Sequence, residues 1–155
     1  MNKLQLQELI AKPTLEKIPK GYSNEALMAF MMCVAHESTR GEYIKQVNGP
    51  ALGLIQMEPK THNSVWKFGD SVWDNALLLG IITADEYNKK LHPKPERLIY
   101  DLVYNVFMFR QRMFMKPKPI PKNGSAISMY LKEHWNSIHG AADGYSYLND
   151  WKRWK

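Results

Sequence analysis

The chain has 155 residues, 45% hydrophobic and 12% aromatic, enough for one buried core and too few for two ordinary domains or a large barrel enzyme. A charged fraction of 23% beside that much aromatic surface excludes a disordered chain. A single cysteine excludes an intrachain disulfide and a cysteine-based zinc finger. The net charge of +6 comes from 21 basic and 15 acidic residues, of which only five are Arg. Lysine supplies diffuse positive potential rather than bidentate readout, so a polyanionic surface is favoured over base-specific contact with nucleic acid.

In chain order, Leu4 to Ile10 reads as a short amphipathic segment stopped by Pro13. Ser23 is placed to cap a helix running through Glu25, Leu27, Phe30, Met31 and Val34 and failing near Arg40-Gly41. That helix is apolar almost all round and is expected at the centre of the molecule. Its run Ala26 to Ala35 falls short of the roughly 20 residues that a membrane span needs, so no membrane insertion is expected. Gln5, Gln7 and Glu8 interrupt any signal-peptide core, and Cys33 suits a buried position in a reducing compartment; a cytoplasmic origin is expected.

Val47 to Pro50 reads as a turn, and Leu52 to Met57 as a short apolar run, together a small β-hairpin or irregular lobe. Pro59 opens a helical turn towards Trp66, and Thr83 to Glu86 has capping-box spacing for a short helix ending near Leu91. From Glu96 to about Met115, Leu98, Leu102, Val106 and Phe109 recur at helical spacing. Pro117, Pro119 and Pro121 impose an extended connector, Ser125 is placed to cap a helix through Trp135, and Tyr145 to Trp154 closes the chain as a helix. The expected class is α+β, predominantly α, in one domain over residues 1–155.

Glu37 is the most informative residue. On a continuing helix it shares the apolar face of Phe30 and Val34, and it sits at the negative C-terminal end of the helix dipole. Both effects disfavour a carboxylate, so its pKa is expected to rise, which suits a general acid that protonates a departing glycosidic oxygen. A zinc-protease reading of His36-Glu37 fails because Arg40 stands where the second His belongs. The five His show no ligand spacing, so neither a metal nor a cofactor is expected.

The run His36-Glu37-Ser38, followed by Gly49-Pro50-Ala51-Leu52-Gly53-Leu54-Ile55-Gln56-Met57-Glu58-Pro59 and Thr61-His62, resembles the lytic transglycosylases and goose-type lysozymes of the lysozyme-like superfamily, phage-encoded members above all. Tyr100-Asp101-Leu102, with Tyr104, Met108 and Arg110, looks like the long helix of those phage proteins. Tyr130-Leu131-Lys132 and Trp135-Asn136-Ser137, with Gly140, look like their later Y-N segment. The resemblance implies a lysozyme-like fold with a buried central helix and a small β-hairpin lobe. It matches Glu37 to the catalytic acid and places Ser38, Gln56, Tyr104 and Asn136 at the substrate. Trp135 stands where the family has Tyr, so Tyr104 or Tyr130 is expected to approach Glu37 instead. Glu58 replaces a common Met and is a possible second carboxylate, with Glu42 the only other acid nearby in sequence.

The resemblance implies an enzyme that cuts the β-1,4 bond between N-acetylmuramic acid and N-acetylglucosamine in bacterial peptidoglycan, by hydrolysis or anhydro-forming cleavage. A phage endolysin fits best: a monomer held in the host cytoplasm until a separate holin-type protein releases it. The rival readings are a virion-borne wall-degrading enzyme, a non-catalytic glycan-binding virion module, and a basic nucleic-acid binder that scarce Arg weakens.

Overall fold

The structure, a computed structural model, describes residues 1–136 and 143–155. The chain enters as one helical arm over residues 3–17, built from α1 (Lys3–Gln5), a π-helical stretch (Leu6–Ala11) and α2 (Lys12–Lys17). Pro13 therefore does not stop the helix. The π stretch shifts the ladder to i→i−5 bonds, with the Lys12 N–H reaching the Gln7 carbonyl, and Pro13 then falls in the first turn of α2, where its missing N–H costs least. The Thr14 hydroxyl donates to the Ile10 carbonyl at 2.7 Å and covers an acceptor in the disturbed turn.

α3 (Asn24–Glu37) begins where expected, with Ser23 Oγ accepting from the Ala26 N–H at 3.0 Å. It carries an unbroken buried run from Ala29 to Ala35 and is the axis of the core. Each fully buried Phe or Met contributes about 1.5–3 kcal/mol, so Phe30, Met31 and Met32 dominate this helix's share of stability. Left-handed Thr39 and Arg40, then Gly41, end it.

The expected β-hairpin reduces to isolated antiparallel bridges, Lys45 with Leu52 and Leu52 with Met57, and no sheet forms among the described residues. The turn at Val47–Pro50 is present, but the apolar run folds back on itself over Gly53–Gln56, so the pairing never extends beyond single bridges. Gly53 has φ +80°, and a Cβ there would lie 2.3 Å from Asn105 Oδ1, so the doubling-back needs glycine.

α4 (Pro59–Lys67) starts at Pro59 as its sequence dictates. α5 (Ser71–Leu78), burying Val72, Trp73 and Ala76, is an element that the sequence reading does not anticipate. α6 (Ala84–Lys89) carries the Thr83–Glu86 capping box. The long periodic stretch is not one helix: α7 (Arg97–Tyr100) and α8 (Leu102–Phe114) are separated at Asp101. The Asp101 carboxylate accepts from the Tyr104 N–H at 2.9 Å and from Arg97 Nε at 2.9 Å, and this side-chain competition for the backbone restarts the helix. α9 (Gly124–His134) is capped by Asn123 rather than Ser125, Asn123 Oδ1 accepting from the Ala126 N–H. α10 (Ser146–Arg153) closes the chain and packs along α3. Phe30 of α3 meets Phe109 of α8 edge-on at 5.6 Å, and Trp135 lies on Phe109 at 5.0 Å. Among the described residues, no helix is long and apolar enough to cross a membrane.

Candidate active site

Three separate elements converge on the C-terminal end of α3. Glu37 is its last helical residue and is half-buried. From α10, the Tyr147 hydroxyl donates to Glu37 Oε1 at 2.5 Å, and Asp150, one turn further on, holds His36 Nδ1 at 2.7 Å. The Tyr147 ring lies against the His36 ring at 4.5 Å, so two neighbouring residues of α3 are gripped by an i, i+3 pair of α10. From the end of α9, Asn136 adds a second side-chain hydrogen bond to Glu37, and Lys132 Nζ donates to Asn136 Oδ1 at 3.1 Å.

Burial raises the Glu37 pKa above its ordinary value; the bond from Tyr147, the charge of His36 and the bond from Asn136 pull against that rise without cancelling it. The Tyr147 hydroxyl is pushed far up by burial and by the Glu37 carboxylate, so it stays a proton donor at every physiological pH. Cys33, one turn before Glu37, is likewise held as a thiol by burial and by that carboxylate. The result is one polarised carboxyl with a fixed hydrogen-bond donor on Oε1.

Gln56 is tied to the same region by two routes. Its Nε2 donates to the carbonyls of Gly53 at 2.8 Å and Tyr43 at 3.4 Å, while the Tyr43 N–H reaches back to the Ser38 carbonyl beside Glu37. On the other side Trp135 Nε1 donates to the Ile55 carbonyl at 3.1 Å, so the neighbour of Asn136 bonds the neighbour of Gln56. Asn105, buried on α8, pins the turn from below. Its Oδ1 accepts from the Leu54 N–H, and its Nδ2 donates to the carbonyls of Leu98 and Asp101.

The remaining residues singled out by sequence are not among the groups acting on the Glu37 carboxyl. Ser38 is fully buried; its hydroxyl donates to the Val34 carbonyl and accepts from the Gly41 N–H, so it shapes the helix end. Tyr104 is also buried, its hydroxyl shared between His62 Nε2 at 2.6 Å and Trp66 Nε1 at 3.0 Å, and Tyr130 donates to the Lys118 carbonyl. The tyrosine at Glu37 is instead Tyr147. Glu58 is exposed at the start of α4, makes no capping bond, and is not among the groups acting on the Glu37 carboxyl; Glu42 is exposed as well. Ser137, His139 and Gly140 lie outside the described residues.

Sequence reasoning missed Tyr147, Asp150 and Asn105. The first two carry a signal, a Tyr and an Asp three apart on the closing helix; Asn105 is indistinguishable in sequence from a solvent-facing Asn. Among the described residues, no group of three or more His, Cys, Asp or Glu side chains is arranged to hold a metal ion. No family model matches the chain, and neither a curated protein nor a solved structure is significantly similar to it.

Proposed function

We propose that this chain cleaves the glycan strand of bacterial peptidoglycan at the β-1,4 bond after N-acetylmuramic acid, with Glu37 as the general acid. The observation that carries the reading is a half-buried carboxyl at the end of the core helix, its pKa raised by burial while Tyr147 and Asn136 hold its orientation. A proton held on such a group to higher pH than on an ordinary carboxyl is available to the bridging oxygen as the bond to the anomeric carbon breaks.

The reaction class follows from what accompanies Glu37. A hydrolase of this kind uses a second carboxylate to steer water, and neither Glu58 nor Glu42 acts on Glu37. With Asp150 engaged by His36 and no other carboxylate acting on Glu37, the favoured course is lytic transglycosylation: Glu37 gives its proton to the leaving oxygen, the muramic 6-hydroxyl attacks the anomeric carbon, and the Glu37 carboxylate takes that hydroxyl's proton. The acid is regenerated and a 1,6-anhydro sugar is formed. Gln56 and Asn136 are the side chains proposed to hold the acetamido and hydroxyl groups of the strand. The biological setting that fits is a phage endolysin released to the wall by a holin-type protein.

Mass spectrometry of digested, purified peptidoglycan tests the proposal, because an anhydro product weighs one water less than a hydrolysed one. Anhydro muropeptides that vanish with Glu37→Gln support it. A Glu37→Gln protein that lyses walls at more than a tenth of the wild-type rate overturns it, and a wholly reducing digest overturns the reaction class alone.

A further inference from the structure

At the other end of α3, roughly 20 Å from Glu37 by helix rise, lies a cavity of about 450 Å³ that plays no part in the site above. Five cations line it, Lys20, Arg110, Lys116, Lys118 and Lys122, against one carboxylate, Glu25. No lining Lys or Arg forms a salt bridge among the described residues, so the cavity holds four uncompensated positive charges, five minus one. Like charges gathered without partners oppose folding unless something offsets them.

We infer that this cavity is a binding site for phosphate groups carried on a polyol or sugar polymer. Its construction supports an oxyanion. Left-handed Lys20 and the following Gly21 present their carbonyls to Arg110, which spends Nη2 and Nε on them and is thereby fixed with Nη1 uncommitted among the described residues. Ser23, whose Oγ caps α3 by accepting from the Ala26 N–H, lines the cavity at the positive end of that helix. The proline connector bends over residues 116–118 rather than running extended as its prolines suggest, it brings Lys116, Lys118 and Lys122 to the cavity, and Tyr130 anchors it by donating to the Lys118 carbonyl. Burial lowers the pKa of both Arg110 and Lys116, a penalty that a bound anion would relieve.

Four net charges exceed what one carboxylate neutralises and match a run of four phosphodiesters, each carrying one negative charge. A nucleic-acid strand is disfavoured, because the cavity exposes a single aromatic ring, Phe114, one face of which is already taken, where a strand needs successive stacking platforms. The Arg110 guanidinium covers Phe114 at 4.3 Å, and the Tyr130 side chain is mostly buried. The inference does not depend on the chemistry at Glu37.

Calorimetric titration of the full chain at low salt tests it, with inorganic pyrophosphate, a short poly(glycerol phosphate) and an oligothymidylate of equal charge as probes. Pyrophosphate and the polyol phosphate are expected to bind, with affinity falling as salt rises. The Lys116→Gln/Lys118→Gln/Lys122→Gln variant should bind at least tenfold more weakly, with a melting temperature equal to or above that of wild type. The corresponding triple Arg variant should bind again, and Glu37→Gln should bind as wild type. Should the Gln variant fail to fold, amide exchange of the wild-type protein decides: protection by pyrophosphate at residues 20–25 and 116–122 supports the site, and protection elsewhere overturns it. Pyrophosphate binding no better than chloride at equal ionic strength, an unchanged affinity in the folded triple Gln variant, or preference for the oligothymidylate likewise overturns it.

Discussion

Glu37 and Tyr147 make the sharpest predictions at the scale of single residues. Glu37→Gln keeps the shape and still accepts from Tyr147, but has no acid proton to give. Turnover on peptidoglycan is expected to fall about 10²–10⁴-fold with little change in stability. The sign of the pH dependence follows from the raised pKa. The fold favours the protonated carboxyl, so this stabilisation is complete below the ordinary value of 4.5 and is lost as pH rises through the folded value. Urea titrations across that range should show wild type losing stability relative to Glu37→Gln as pH increases. Tyr147→Phe removes a bond that favours the carboxylate, so the alkaline limb of the pH–rate profile should move to higher pH. A limb that stays put would mean that Glu37 is not the titrating acid.

At the scale of elements, two buried clusters hold the helices around the site. Asn105 makes three bonds that join α8 to the turn bearing Gln56, and Gly53 presses against it. Gly53→Ala places a methyl into Asn105 at a left-handed φ, and a loss of about 2–4 kcal/mol is expected in chemical denaturation. The second cluster joins α4 to α8. Trp66 donates to the Tyr104 hydroxyl, which bonds His62 Nε2, while Nδ1 faces Asn63 Oδ1 at 2.9 Å. The amide oxygen accepts only, so Nδ1 carries a proton, while the Tyr104 hydroxyl, already accepting from Trp66, is placed to donate to Nε2; that arrangement favours the neutral ring, in keeping with a pKa lowered first by burial. The unfolded chain then binds the proton more readily, and stability should fall as pH drops below 6.5 and level off below the folded value. Tyr104→Phe leaves Trp66 and His62 without their partner and should cost about 1–3 kcal/mol, while abolishing part of that acid-side slope.

Over the whole molecule, the two ends of the chain are clasped together. Lys3 Nζ donates to the carbonyls of Trp151 and Trp154, its charge lies 4.3 Å over the Trp151 ring, and Trp154 Nε1 donates to the Met1 carbonyl. The clasp places a cation at the C-terminal end of α10, where the helix dipole favours it, and so steadies the helix that carries Tyr147 and Asp150. Lys3→Ala should cost about 1 kcal/mol and reduce amide-exchange protection selectively over residues 146–153. A uniform change across the molecule would show that the clasp has no particular bearing on α10.

What could be read along the chain was what neighbours in sequence decide. Ser23, Pro59 and Thr83 start helices because a cap or a proline acts within one turn, and the apolar run after Ser23 could only be a buried axis. Glu37 was legible on the same terms, since its place at the end of that axis follows from helical spacing alone. Partners contributed by distant segments were not. Tyr147 meets Glu37 across 110 residues, Asn105 meets Leu54 across 51, and Trp135 meets Ile55 across 80. Competition hid the rest: Asp101 capping against helix continuation, the π turn absorbing Pro13, and the buried grip on Gly53 defeating a hairpin that its apolar run invites. Local periodicity determines which residues turn inward, but the docking of α10 on α3 decides which of them meet, because burial and hydrogen bonding act between surfaces that only folding brings together.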